Sequence, residues 1–597
     1  MSRPAYPPYK FFPFPLPLTK IYISNMKNLQ KWAIPLKALI IIFILLSAIF
    51  IAYRDALNNG FLTMWDTQEY VIYNPHIKAL TWENIQWMFT HFHAANWHPL
   101  TWLSHALDYA WFGMNPWGHH LVNILFHGLN TILLFLLVSV LFSFKPAADK
   151  VSQFAPVTHK TLLAAGIAAF LFGIHPQHVE SVVWIAERKD VLCLFFILLA
   201  LLSYLFYNAA LHHANKKRVF WYLSTLFCFV LALLAKPMAI TLPVILLLMD
   251  VYPLNRTHLT APQAKVSYKR IVLEKIPFFA FTVLSAILTI LAQHNSGAMS
   301  TLEGLGLEIR ILNAFNSLIF YLSKFIFPIG LSPLYPLPSY QSVHEYYPSL
   351  VPVMAFFLIT FLCGYLWYKK KYYWLIAWLF YLVTLSPVIG IIQVGSQAAA
   401  DRYVYLPTIP FYILLGIGIV KVVSSQKIKS FLKLGTVLGL VLFSLVLIQL
   451  TQKQTAIWKN DLTFWGYIAA YAPNNILAHN NLADVYVRMG EYEKAVERYQ
   501  HTLSLNPPHF MKSGGAGQLA LAYMKLDRLQ EALNIVNYLI DKHIFENYQV
   551  NKLYAMRGEI YFKLGLLPPA QESLRKALEL NPRNEKARKL LSEINAE

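Results

Sequence analysis

The chain has 597 residues, of which 57% are hydrophobic and 13% charged, whereas a soluble protein carries about 25% charged residues. Its mean hydropathy is +0.44. Apolar runs of bilayer-crossing length, about 20 residues, recur from Ile34 to Leu450, which excludes an ordinary soluble globule and predicts a polytopic membrane protein. The net charge of +20 does not imply a nucleic-acid partner, because the cations are distributed in alternate loops.

The first 25 residues are rich in Pro and aromatics and do not read as a signal peptide. Met26 opens MKNLQKWAIPLK, an ordinary lead into a first membrane helix, and is expected to be the true start. Residues 1–33 form a cytoplasmic N-terminal segment, and 34–450 a membrane domain. Twelve apolar runs are predicted, at 34–53, 121–143, 161–174, 191–209, 219–235, 239–252, 273–292, 311–328, 350–368, 372–390, 407–423 and 431–450. Lysine and arginine cluster before the first run, then at Lys145–Lys160, Lys216–Arg218, Arg256–Arg270, Lys369–Lys371 and Lys421–Lys433. Residues 60–118 contain only Lys78. By the positive-inside rule the N-terminus is cytoplasmic and the 60–118 loop external. Twelve spans would put Lys369–Lys371 outside. The 311–328 run is followed by PIGLSPLYPLPSY, whose prolines break regular structure, so it is expected to be re-entrant or interfacial. About 11 spans then remain, and 451–597 lie outside. Cys193, Cys228 and Cys363 sit in or beside apolar runs and show neither zinc nor disulfide spacing.

The external loop carries the candidate chemistry. MWDTQEYVIYNPHI (64–77) sets Asp66 and Glu69 just beyond the first span. Transfer of a sugar from a lipid phosphate needs a base for the acceptor hydroxyl and cations for the leaving phosphate. Asp66 suits the first role. Arg188, Lys189, Lys236 and Arg402 suit the second, being among the few external cations, each beside a membrane helix. Pairing of Arg188 with Asp190 or Glu180, and of Arg402 with Asp401, is the structural alternative. His98, His105, Asp108, His119, His120, His175, Glu180 and Asp190 are supporting candidates. Imidazole suits a divalent metal such as Zn or Mn. The neighbouring Trp82, Trp87, Trp97, Trp102, Trp111 and Trp117 favour instead an interfacial helix with hydrogen-bonding histidines, and no metal is assigned. Without a Gly-rich nucleotide loop, a cytoplasmic nucleotide-sugar donor is disfavoured.

The tail from 451 repeats itself. Tyr486, Tyr523 and Tyr561 form one column and Ala495, Ala532 and Ala570 another, at spacings of 37 and 38 residues. This predicts tetratricopeptide repeats at about 476–509, 513–545 and 551–584, closed by a polar helix over 583–597. The fold class is therefore all-α: a polytopic membrane helical domain followed by a soluble α-solenoid.

WHPLTWLSHALDYAWFGMNPWGHHLVNILFH (97–127), FGIHPQHVESVVWIAERKDVL (172–192), KPMAITLPVILLLMDVYPL (236–254) and ADRYVYLP (400–407) resemble the transmembrane and tetratricopeptide-repeat O-mannosyltransferase family, over nearly the whole chain after residue 34. That resemblance implies a membrane domain of the C-type glycosyltransferase kind, a polyprenyl-phosphate sugar donor, and Ser or Thr of exported proteins, held by the repeats, as acceptor. It implies that Asp66 matches the first acid of a motif that commonly has two adjacent acids. The second position here is Thr67. Either one acid suffices, or Glu69 supplies the charge, or activity is lost. A bacterial inner membrane with periplasmic repeats suits the loops. A non-catalytic repeat scaffold, and a transferase acting on a glycan or lipid, are the alternatives.

Overall fold

The computed structural model describes residues 36–145, 153–211, 215–257, 259, 268–296, 306–337, 350–392, 395, 397–505, 510, 514–542 and 547–596. The 1–33 segment, Met26 as a start, and Lys150 and Lys265 of the basic loops lie outside them. The chain divides into two units, 1–44 and 45–597. Of the first, the described part opens the apolar helix Leu36–Tyr53.

The described chain is helical apart from four strands of two or three residues. Seven helices are long and apolar enough to cross a membrane: Leu36–Asn58, Pro116–Ser143, Ile185–Ala209, Lys216–Ala235, Tyr268–Asn295, Leu350–Tyr368 and Ser430–Ile457. His159–Gly173 and Pro176–Val183 make an eighth only as a pair bent by 55°. Pro237–Val251, Tyr373–Leu385 and Ile409–Ser424 are apolar but shorter. These eleven pieces match the predicted runs other than 311–328. Four of them are bent or shorter than the roughly 20 residues of a straight crossing. Helix starts follow local chemistry. Asn115 accepts a hydrogen bond from the Trp117 N–H ahead of Pro116, and Thr158 caps the next helix at Thr161.

Leu307–Ile326 is a regular helix that does not reach the apolarity of a span. Its Asn313 and Ser317 side chains donate to the Ala398 carbonyl at 3.0 and 3.1 Å. The Tyr321 hydroxyl accepts from the Ala400 N–H at 2.9 Å. The Pro-rich stretch after it supplies strand Tyr335–Pro336, paired antiparallel with Gln397–Ala399. This run therefore braces the segment leading into ADRYVYLP. A second polar staple lies at Asp250, fully buried, which binds Lys275 at 2.8 Å, Arg256 at 2.9 Å and the Tyr204 hydroxyl at 2.6 Å.

Helices Ile476–Met489 and Tyr492–Leu505, Gly515–Lys525 and Leu529–Asp541, and Asn547–Lys563 and Leu567–Leu580 form three antiparallel pairs, capped by Glu585–Ala596. Ala495, Ala532 and Ala570 are fully buried where paired helices approach, the reason for the alanine column.

Close approach also sets the membrane core, as small residues do between membrane helices. A Cβ on Gly416, in helix Ile409–Ser424, would lie 2.3 Å from the Ala164 carbonyl oxygen. Gly416→Ala should therefore push that helix off His159–Gly173 and cost about 1–3 kcal/mol. Thermal unfolding of the purified protein measures it; an unchanged melting temperature would contradict the contact.

Candidate functional site

The loop after the first span is held by the C-terminal region. The Gly60 N–H donates to the Lys459 carbonyl at 2.8 Å. Thr63 donates to Asp461 through its N–H at 3.0 Å and its hydroxyl at 2.6 Å. Arg488, on the first repeat helix, donates to the same hydroxyl at 2.9 Å. Trp65 packs among Trp184, Phe464 and Trp465. The irregular turn that follows leaves the Asp66 and Glu69 side chains exposed. Thr67 is buried, and its hydroxyl accepts the Trp184 indole N–H at 3.1 Å. Tyr70 is buried too. Burial pushes its hydroxyl up to about 12, with Lys189 opposing and Asp66 adding.

Beneath this loop lies a buried ion cluster, where bent segment Pro176–Val183, helix Arg188–Ala209, Lys236 and Asp401–Val404 meet. Glu187 is its hub. Oε1 binds Lys189 at 3.0 Å and Arg402 Nε at 3.4 Å, and Oε2 binds Lys236 at 3.2 Å. Lys236 also pairs with Asp190, whose other oxygen accepts from Ser181 at 3.0 Å. Arg402 pairs with Glu180 through its guanidinium, and its N–H donates to Glu180 at 2.9 Å. The Lys189 ammonium lies 4.7 Å from the Tyr70 ring centre, and the Arg402 guanidinium 5.5 Å from that of Trp184. Asp190, Cys193, Lys236, Arg402 and Tyr405 line a cleft at this cluster. Asp66 lies within electrostatic reach of Lys189.

The structure thus brings together Glu180, Lys189, Asp190, Lys236 and Arg402, with Asp66 at the rim. It separates Arg188 from them. Arg188 turns the other way on its helix and donates to Asp108 at 2.6 Å, Ser104 at 2.7 Å and the His119 carbonyl at 2.9 Å, with Asn123 on its Nε. Arg402 pairs with Glu180 and Glu187 rather than Asp401. Asp401 instead accepts from the Tyr335 hydroxyl at 2.9 Å. Burial, then the Glu180 charge, push its carboxyl well above the usual range.

The candidate histidines His98, His105, His119, His120 and His175 are buried in the protein. His98 contacts the Tyr70 hydroxyl at 3.2 Å. Burial, with Lys189 and Lys236, drives its imidazole well below the usual pKa. His120 lines a second cleft with Thr67, Trp184 and Trp458. His175 faces the Phe325 carbonyl at 3.1 Å and stacks on that ring, fastening the Leu307–Ile326 helix. His105, Asp108 and His119 gather in a buried group. Reasoning from sequence missed Glu187, Tyr70, Trp184, Asp461 and Arg488. Only Glu187 carried a signal, an acid directly before Arg188 and Lys189.

Comparison with known proteins fits this architecture. Tetratricopeptide-repeat family models match residues 476–509 and 552–584. Human protein O-mannosyl-transferase TMTC4 is 24% identical over 421 residues, 65% of this chain and 55% of that protein. Its mouse counterpart is 32% identical over 159 residues, 26% of this chain and 21% of that protein. Human protein O-mannosyl-transferase TMTC3 is 22% identical over 521 residues, 79% of this chain and 51% of that protein. The chain spans about half the length of these human relatives. The crystal structure of ArnT from Cupriavidus metallidurans bound to undecaprenyl phosphate aligns over 86% of this chain and 80% of its own, at 13% identity and a TM-score of 0.31, a score from which nothing about the site follows. The chain is an all-α, multi-pass membrane protein with a repeat tail. It is a relative of the transmembrane and tetratricopeptide-repeat O-mannosyltransferases.

Two measurements probe the cluster. Arg402→Met strands Glu180 and Glu187 short of a cation and should cost about 3–5 kcal/mol, while Glu180→Gln with Arg402→Met should recover part of that loss. Thermal unfolding of the single and double variants reports it; strict additivity would deny the pair. Asp401 has a folded pKa above its unfolded value of about 3.9. Its contribution is therefore most favourable below about pH 4 and is lost as pH rises toward the folded value. Asp401→Asn should match wild type near pH 4 and be the more stable at pH 7. Melting temperatures across that range decide it, and a gap that fails to grow with pH would refute the burial argument.

Proposed function

We propose that the chain is a membrane glycosyltransferase that moves a sugar from a polyprenyl-phosphate donor to Ser or Thr hydroxyls of exported proteins, on the face opposite its N-terminus. Mannose is the sugar suggested by the names of its relatives. The loop lysine pattern supports a bacterial inner membrane, with the repeats on the periplasmic side. The observation that carries the reading is the position of Asp66, exposed above a buried cluster of Lys189, Lys236 and Arg402. The acceptor hydroxyl oxygen attacks the anomeric carbon, its proton passes to Asp66, the carbon–oxygen bond to phosphate breaks, and polyprenyl phosphate leaves toward the cations. Each of those cations has a carboxylate partner, so the donor phosphate exchanges with Glu187 or Asp190 for them. The clamp of Thr63 on Asp461 and Arg488 supports delivery of the acceptor by the repeats.

A non-catalytic scaffold is the second reading, favoured by Thr67. Its buried hydroxyl serves Trp184, and an aspartate there would face desolvation. Thr67→Asp should therefore lower the melting temperature. A glycan or lipid acceptor is separated from a protein one by deleting 472–597, which should impair transfer to a folded protein and spare a free glycan acceptor.

Asp66→Asn is the decisive variant. Transfer from a polyprenyl-phosphate sugar to a peptide should fall about 10²–10⁴-fold, the span of a general base. Because the Asp66 side chain is exposed, the melting temperature should hold. A well-folded Asp66→Asn protein with full activity would end the catalytic reading, and a severe Glu69→Gln would make Glu69 the second acid.

A further inference from the structure

The buried group on the opposite side of helix Arg188–Ala209 plays no part in the proposed transfer. His105 and Asp108 stand three residues apart on helix Pro99–Phe112, on one face. His119 comes from the first turns of Pro116–Ser143. All three are at most 2% exposed, and one ligand atom from each lies within 4.8 Å of the others.

The hydrogen bonds around this group leave buried polar atoms unused. His119 Nε2 is 3.1 Å from the Gly113 carbonyl, which can only accept, so that nitrogen carries the proton. Nδ1 of a neutral ring is then a bare lone pair, and it faces an Asp108 carboxylate oxygen at 3.4 Å. The His119 lone pair and the Asp108 oxygen are thus turned toward one another with no proton donor between them, an arrangement that a bound cation satisfies. His105 adds a second, independent observation. It is fully buried, yet neither ring nitrogen has a hydrogen-bond partner among the described residues. A buried imidazole left without partners bears its full desolvation penalty unless something binds it.

We propose that His105, Asp108 and His119 bind one divalent transition-metal ion, Zn²⁺ by the character of the donors, as a site that joins the two helices of the external hairpin. Two imidazoles and a carboxylate are a zinc-type donor set. Ligands about 2.0–2.1 Å from a tetrahedral ion lie about 3.4 Å apart, the separation of His119 Nδ1 from Asp108. The Gly113 carbonyl and Arg188 serve as outer partners, fixing the His119 tautomer and orienting the carboxylate. Arg188 already balances Asp108, so the remaining position falls to water or an anion. Every ligand is buried, and the site lies outside the cleft at Lys236 and Arg402.

The test uses the full-length protein, purified without a polyhistidine tag, stripped with chelator and returned to zinc. Wild type should retain about one zinc per chain by elemental analysis and melt at a higher temperature with zinc than without. His105→Leu isolates the ligand role, because His105 has no hydrogen bond to lose. It should bind zinc at least about tenfold more weakly and lose the zinc-dependent shift. His91→Ala with His93→Ala, which removes the His-X-His pair that lies outside the buried group, should leave stoichiometry and shift intact. If wild type holds no stoichiometric zinc, and His105→Leu simply melts higher, the charge between His119 and Asp108 is a proton and the site is refuted. If the His91/His93 variant loses the zinc instead, the metal lies elsewhere and the assignment is equally overturned.

Discussion

The Glu187 carboxylate is the constraint on which the rest of the membrane domain depends. It is 1% exposed and touches Lys189, Lys236 and Arg402, cations that arrive from three places along the chain. A carboxylate so desolvated persists only where cations surround it, and the cations persist only where carboxylates do. Glu180 and Asp190 complete the balance at Arg402 and Lys236. The bend of 55° between His159–Gly173 and Pro176–Val183 and the brace of Leu307–Ile326 behind Ala398 and Ala400 bring these charges together. A straight crossing at 159–183 would carry Glu180 through the bilayer away from Arg402.

Much of the architecture was legible because it follows from periodicity and composition. Apolar runs mark the membrane helices, and the alanine column at 495, 532 and 570 marks the crossings of the repeat helices. The weakness of 311–328 as a span was visible in the prolines that follow it. Asp66 could be placed beyond the first span by counting alone. Partner choice could not. Arg188 meets Asp108 across 80 residues and Arg402 meets Glu180 across 222, and no local pattern encodes which of several acids a buried arginine reaches. The six tryptophans of the 60–118 loop pointed to an interface and obscured the buried histidines. Trp102 is itself fully buried, and helix Pro99–Phe112 turns His105 and Asp108 inward with it.

Thr67 shows how one residue bears on two readings. Its hydroxyl holds the Trp184 indole, and Trp184 stacks beside Trp458 with centroids 5.7 Å apart and lies under the Arg402 guanidinium. The side chain at this position therefore shapes the floor of the loop even with no charge of its own. A threonine accepts that indole proton without the desolvation cost of a carboxylate. The local structure is a loop that exposes Asp66 and Glu69 and buries an uncharged residue between them.

That arrangement has a consequence for the proposed transfer. A polyprenyl-phosphate sugar is a phosphodiester with a single negative charge, and the departing polyprenyl phosphate gains a second as the glycosidic bond breaks. Three cations fixed by carboxylates interact more strongly with the second charge than with the first, because the charge grows where they already point. Their carboxylate partners weaken ground-state binding, while their fixed positions remove reorganisation from the reacting step. The clamp of Thr63 on Asp461 acts on the other reactant. It ties the acid loop to the first repeat, so an acceptor held by the repeats reaches Asp66 across a connection of hydrogen bonds rather than a free tether. Proximity of that kind raises effective concentration without a deep acceptor pocket.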